Sequence, residues 1–143
     1  MIRVANELDL SDIYKIELDN FENPWKINQF RVYINNSNAI NVIFECDNIV
    51  KAYIFGEIID EEYHLYKISV HKSNMNQGIG SQLLDYLIKY LKDLSLLYIY
   101  LEVKSSNLFA KKLYQNFGFK KINIRKNYYN YCEDALLYNL SLE

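Results

Sequence analysis

The stretch Met75-Asn76-Gln77-Gly78-Ile79-Gly80 holds two of the chain's four glycines, one residue apart. It joins a strand-like run, Leu65-Tyr66-Lys67-Ile68-Ser69-Val70, to a helix-like run that begins Ser81-Gln82-Leu83-Leu84. A helix N-terminus leaves about four backbone N–H groups without partners inside the helix, and it carries a partial positive charge. Preceded by a turn with no side chains in the way, such an end binds phosphate. Gly78 and Gly80 can let the backbone come close to a pyrophosphate, with the amides of Asn76, Gln77, Gly78, Ile79, Gly80 and Ser81 donating. The residues after Gly80 exclude two phosphate motifs. A Walker A loop ends in Gly-Lys-Ser/Thr, whereas Gly80 precedes Ser81 and Gln82. A dinucleotide fingerprint needs a third glycine where Leu83 stands. On this hexapeptide alone, a turn that uses glycine only for its geometry stays open.

Other chemistry-bearing residues have plainer local readings. Glu102 alternates with Leu101 and Val103, as a cross-strand polar partner would. Asn107 can cap a helix, Trp25 can anchor a core, and Tyr128 and Tyr129 suit a strand. Tyr114 is one of fourteen tyrosines in a chain rich in Asn, Lys, Ile and Tyr throughout, so its residue type alone signals nothing. His64 and His71 have no neighbours at metal-ligand spacing, and no metal is expected. Cys46 and Cys132 form no CxxC pair and read as reduced thiols of a cytoplasmic protein.

The positioning elements follow from periodicity. A short strand near Ile2–Val4 precedes a helix from Ser11 to Asn20, with Leu10-Ser11-Asp12 as its capping region. Asn23-Pro24 breaks the chain before a second helix over Ile27–Asn35. Strands over Ala39–Glu45, Ile49–Ile59 and Glu62–Val70, with turns at Asp47-Asn48 and Asp60-Glu61, read as an antiparallel meander. Ile79, Leu83, Leu84, Leu87, Leu91 and Leu94 then form one apolar helical stripe. A strand over Leu97–Val103 comes next, then a helix capped at Ser105-Ser106-Asn107 and ending at Gly118, whose position suits a left-handed residue. Strands over Phe119–Asn127 and Asp134–Leu140 close the chain. The unit from Leu65 to Val103 is expected to be a right-handed parallel crossover. The predicted fold class is α/β, a mixed and mostly antiparallel sheet with flanking helices and one parallel βαβ crossover, in a single domain over residues 1–143.

Half of the 143 residues are apolar and the formal charge is -2, so the chain offers no basic surface of the kind nucleic acid requires. No uninterrupted apolar run could span a bilayer, and the N-terminus has no apolar signal core, so neither nucleic acid nor membrane is expected as a partner.

The phosphate motif that remains is the coenzyme A loop of the GCN5-related N-acetyltransferases (GNAT), [QR]xxGx[GA] between a strand and a long amphipathic helix. The sequence resembles it in context and at both glycines, with Met75 in place of Gln or Arg. Leu101-Glu102-Val103-Lys104-Ser105-Ser106-Asn107 and Leu113-Tyr114-Gln115-Asn116-Phe117-Gly118-Phe119 resemble the LEVR-x-SN … LY-x-x-x-GF signature of the RimI-like ribosomal-protein alanine N-acetyltransferases. Asn23-Pro24-Trp25 resembles that branch's (N/F)PW segment, and Arg125-Lys126-Asn127-Tyr128-Tyr129 with Glu133-Asp134-Ala135 resembles its R(R/K)xYY … EDA tail. Only Asn130-Tyr131-Cys132 separate the two parts of that tail, where the family carries a longer loop.

The resemblance implies the GNAT-like acyl-CoA N-acyltransferase fold and acetyl-CoA as co-substrate. It further implies Glu102 as general base and Tyr114 as general acid, with Asn107 on coenzyme A. Ile68, Ser69 and Val70 are expected on the acetyl-pantetheine arm, and Asn76 to Ser81 on the pyrophosphate. The amide of Val70 or a neighbour is the expected oxyanion donor, and Trp25, Tyr128 and Tyr129 are expected to meet the acceptor. That acceptor is expected to be a protein N-terminus, the alanine amine of a ribosomal protein. A small-molecule amine as acceptor, or a non-catalytic acyl-CoA-binding module, are the alternatives.

Overall fold

The computed structural model describes residues 1–129 and 133–143. Asn130, Tyr131 and Cys132, with the short-loop and thiol expectations that fall on them, lie outside the described residues. The elements run β1 (Ile2–Val4), α1 (Leu10–Asn20), α2 (Ile27–Ile34), β2 (Val42–Cys46), β3 (Ile49–Ile59), β4 (Glu62–Val70), α3 (Ile79–Asp93), β5 (Tyr98–Lys104), α4 (Leu108–Asn116), β6 (Lys120–Tyr129) and β7 (Glu133–Ser141). One seven-stranded sheet has the order β1-β2-β3-β4-β5-β7-β6. Among these strands only β4 and β5 pair in parallel, across the crossover that α3 supplies, and the other neighbours are antiparallel as the patterning predicts.

The sheet is covered on both faces, which is why β3 reads as a nearly continuous apolar run. Successive side chains of a strand point to opposite faces. Ala52 and Ile54 join the core beneath α3 and α4, while Tyr53 and Phe55 join a second core against α1 and α2. Leu83, Leu84, Leu87 and Leu91 of the α3 stripe are wholly buried in the first core. Each contributes about 1.5–3 kcal/mol at most from burial.

Several boundaries differ from expectation for identifiable reasons. Ala39 makes only an isolated bridge to Glu57, and β2 begins at Val42. The Leu10-Ser11-Asp12 segment does not cap α1. A capping box built by Asn6 and Asp9 starts a short 3-10 turn over Glu7–Asp9, and α1 continues from it at Leu10. The signal was an Asx residue one turn earlier than the apolar period suggested. β6 runs on to Tyr129, which pairs with Glu133 of β7 after a register shift beyond Arg125; it is an edge strand, exposed along most of its length and paired with β7 alone among the described strands. The turns at Asp47-Asn48 and Asp60 lie where predicted, all three residues having positive φ.

Candidate functional site

The pairing of β4 with β5 runs from Glu62↔Tyr98 to Leu65↔Leu101 and stops there. Beyond it the two strands diverge, and the gap opens into a cleft of about 680 Å³. Backbone polar groups along such an open strand edge need partners, so an extended ligand rich in amides can dock against them. The cleft brings together Ile68, Glu102, Asn107, Tyr114, Trp25 and Tyr129 from six different elements or loops. Val70, Asn76, Gly78, Ile79, Gly80 and Ser81 instead border a separate small cavity of about 50 Å³, closed on its far side by Phe109 and Leu113 of α4. Ser69, Gln77 and Tyr128 line neither.

The glycine turn has two different uses for its two glycines. Gly78 has φ +77, and a Cβ there would meet nothing within 4 Å, so its requirement is conformational. Gly80 lies inside α3, where a Cβ would touch Leu113 at 3.6 Å, Phe109 at 3.7 Å and Val70 at 3.8 Å. The missing side chain of Gly80 thus faces α4 and β4. Asn76 also takes a left-handed conformation, φ 62, which asparagine tolerates. The helix ladder begins with the Gln82 N–H donating to the Gly78 carbonyl at 3.0 Å. The N–H groups of the first turn before it have no partner within the helix.

Glu102 projects from β5 with its side chain 30% exposed. Arg125 Nη1 lies 3.6 Å from its Oε1, a loose and half-exposed pairing of small energetic weight. The Tyr129 side chain is hydrogen-bonded to Glu102, and burial, reinforced by the Glu102 charge, pushes that phenol up to about 12. Lys104 stands over the Tyr129 ring, 5.1 Å from its centroid. Tyr114, only 3% exposed, packs its ring against Phe119 at a centroid distance of 5.3 Å. Burial raises its hydroxyl well above the ordinary tyrosine value, so it stays protonated at neutral pH and keeps a proton to donate.

The plainer local readings also hold for some of these residues. Asn107 Oδ1 accepts from the Ala110 N–H at 3.1 Å, capping α4 while lining the cleft. Trp25 stacks on Tyr33 at 5.4 Å and tilts against Phe30 at 5.0 Å, so it is both core anchor and cleft wall. Tyr128 is 51% exposed and lies edge-on to Tyr129, 5.2 Å between centroids. Ser69 is buried, and the Asn20 amide donates to its Oγ at 2.6 Å and to the Val70 carbonyl at 2.8 Å. Among Val70 and its neighbours, the His71 N–H is already committed to the Lys51 carbonyl at 2.7 Å.

Sequence reasoning missed a buried ionic cluster in the cleft wall. Glu17 of α1 is fully buried, and its Oε2 lies 2.7 Å from Lys67 Nζ of β4. The Trp25 N–H donates to the same oxygen at 2.8 Å, and the Tyr53 hydroxyl donates to Oε1 at 2.5 Å. The signal was present: Glu17 falls in register with Leu10 and Ile13 on the apolar stripe of α1, a carboxylate where an aliphatic side chain belongs. Among the described residues, no cluster of His, Cys, Asp or Glu could hold a metal ion, and no helix is long and apolar enough to cross a membrane.

The acetyltransferase (GNAT) family model matches residues 10–119. The [ribosomal protein bS18]-alanine N-acetyltransferase of Haemophilus ducreyi is 35% identical over 132 residues, covering 90% of this chain and 88% of that protein. The protein of the same description from Escherichia coli K12 is 30% identical, covering 94% and 92%. The crystal structure of the ribosomal-protein-S18-alanine N-acetyltransferase from Escherichia coli superimposes with a TM-score of 0.94 at 29% identity, covering all of this chain and 94% of that one. On these matches the chain belongs to the GNAT acetyltransferases, in their RimI-like branch, and is an N-acetyltransferase.

Proposed function

We propose that the protein transfers acetyl from acetyl-CoA to the N-terminal amine of a protein, the alanine of a ribosomal protein, with Glu102 as base and Tyr114 as acid. The observation that supports this reading is that both residues line one cleft, beside the point where the pairing of β4 and β5 ends. Acetyl-CoA is the donor that GNAT acetyltransferases use. Its pantetheine arm would lie along the open edge of β4 at Ile68–Val70, with the pyrophosphate at the first turn of α3.

The acceptor attacks as its neutral amine. An α-amino group, with a reference pKa of about 7.7–8.0, loses its proton to a carboxylate far more readily than a lysine amine near about 10.4. Glu102, partly exposed, is placed to take that proton directly or through water. Nitrogen then bonds to the thioester carbon, the tetrahedral adduct collapses, and the C–S bond breaks. The departing sulfur gains a proton from the Tyr114 hydroxyl. The phenol recovers it from the nitrogen as the amide forms, and Glu102 releases its proton to solvent, so the net products are an acetylated amine, coenzyme A thiol and one proton. Because Tyr114 stays protonated at neutral pH, the donor is in place at every turnover.

Support for a peptide acceptor comes from the relatives, which are named for alanine acetylation of bS18. Intact-mass analysis of an alanine-starting ribosomal peptide, incubated with enzyme and acetyl-CoA beside its N-terminally blocked counterpart, tests it. A gain of one acetyl group on the unblocked peptide alone is expected. Acetylation of small amines with neither peptide modified would replace the peptide by a small-molecule acceptor.

A further inference from the structure

The buried cluster beside the acceptor end of the cleft has the chemistry of an ammonium site. Glu17 supplies a fully buried carboxylate, and the rings of Phe21 and Trp25 face the cation that it holds. A carboxylate and aromatic faces converging on one position is the arrangement that binds alkylammonium ions, through charge-assisted hydrogen bonds and cation–π attraction. Here the site is filled from within. The Lys67 ammonium lies 2.7 Å from Glu17, 3.7 Å from the Phe21 centroid and 5.4 Å from the Trp25 centroid. Its side chain is 13% exposed, and Phe21, Trp25 and Lys67 all line the cleft.

Without that lysine the carboxylate would be a buried charge lacking its cation, and any ammonium entering the cleft would be drawn to it. An amine held there is held away from Glu102. Small polyamines, which carry several ammonium groups on flexible chains, would suit this trap best. We propose that Lys67 is a specificity-determining residue: a built-in cation that closes this site, keeps small polycationic amines out of the cleft, and leaves it to an amine presented on a peptide end. The proposal rests on the acetyl-transfer reading of the cleft and defines which amines that cleft refuses.

Calorimetric titration with spermidine tests it without relying on turnover. The unaltered protein is expected to show no binding below millimolar concentration. Lys67→Met and Lys67→Gln, checked for folding by thermal melting, are expected to bind spermidine at least tenfold more tightly. Glu17→Gln/Lys67→Met, which removes the anion as well, is expected to lose that gain. Sub-millimolar binding to the unaltered protein overturns the proposal whatever the variants do. So does a folded single variant that gains nothing, or a double variant that gains as much as the single ones. Acetylation assays on the same samples separate the two levels. A protein that shows the binding pattern but acetylates no amine keeps the plug and loses the catalytic reading, whereas peptide acetylation without the binding pattern does the reverse.

Discussion

The two glycines of the α3 turn can be separated by one substitution each. At Gly78, φ is +77 and the space around a Cβ is empty, so Gly78→Ala introduces strain without a clash. A non-glycine residue in that region costs about 1–2 kcal/mol. Reduced freedom of the unfolded chain returns about 0.4–1 kcal/mol, leaving a net loss of about 1 kcal/mol. For a domain of this size that is a fall in Tm of about 3–4 °C. If the ligand must also restore the turn, acetyl-CoA binding weakens by about fivefold, the equivalent of 1 kcal/mol. Gly80→Ala differs, because its Cβ would meet Leu113, Phe109 and Val70 at 3.6–3.8 Å, ordinary contact distances. It should gain up to about 1 kcal/mol from helix propensity and leave acetyl-CoA affinity within about twofold. Gly78→Asn, by analogy with Asn76 at φ 62, should recover much of the Gly78→Ala loss. Thermal melts and equilibrium acetyl-CoA titrations on the three variants suffice. Loss of acetyl-CoA binding in Gly80→Ala, with Gly78→Ala unaffected, would refute the division of roles.

Glu102→Gln should lower kcat by about 10²–10⁴-fold while acetyl-CoA still binds, and steady-state kinetics beside calorimetry check this. Tyr114→Phe should slow acetyl transfer without loss of fold, since the ring keeps its packing on Phe119, and an unchanged rate would remove the acid role. Gly56→Ala should destabilise by at least about 1–3 kcal/mol, because its Cβ would stand 2.4 Å from the His64 carbonyl and the Tyr63 hydroxyl; a denaturant melt reads the loss. Asp9 supplies an acid-sensitive contribution to stability. Burial alone would raise its pKa, but bonds from Arg3 and the Asn6 N–H outweigh it and hold the carboxyl below its usual range. The contribution is therefore complete above the unfolded value near 3.8 and disappears as pH falls through the depressed one. Melts of Asp9→Asn and the parent should converge in that acid window and differ above it.

The parts of this fold that announced themselves in the sequence are those set by local rules. The α3 stripe from Ile79 to Leu91, the left-handed Gly118 after α4 and the Asn107 cap follow from periodicity and backbone preference and lie where those rules put them, whereas Leu94, expected on the stripe, is the exposed C-cap of α3. Long-range pairing was less legible. That β7 would insert between β5 and β6 depends on contacts far apart in the chain, which no local pattern encodes. At the site, the glycine turn was visible, but its division into a conformational glycine and a packing glycine needed the positions of Phe109 and Leu113 in α4. The Glu17–Lys67 pair was hidden for the same reason. The place of Glu17 on the apolar stripe of α1 was legible, but that its partner is Lys67 was not, because only the sheet places the two 2.7 Å apart.

The seam between β4 and β5 is only four residue pairs long, Glu62↔Tyr98 to Leu65↔Leu101, yet within the described sheet it alone links the β1-β2-β3-β4 leaf on one side to the β5-β7-β6 leaf on the other. A thread laid in the gap below that seam would act as a stitch between the two leaves. Loading the donor should then stiffen the whole molecule, raising its melting temperature as donor concentration climbs above Kd and slowing amide exchange most along Tyr66–Val70.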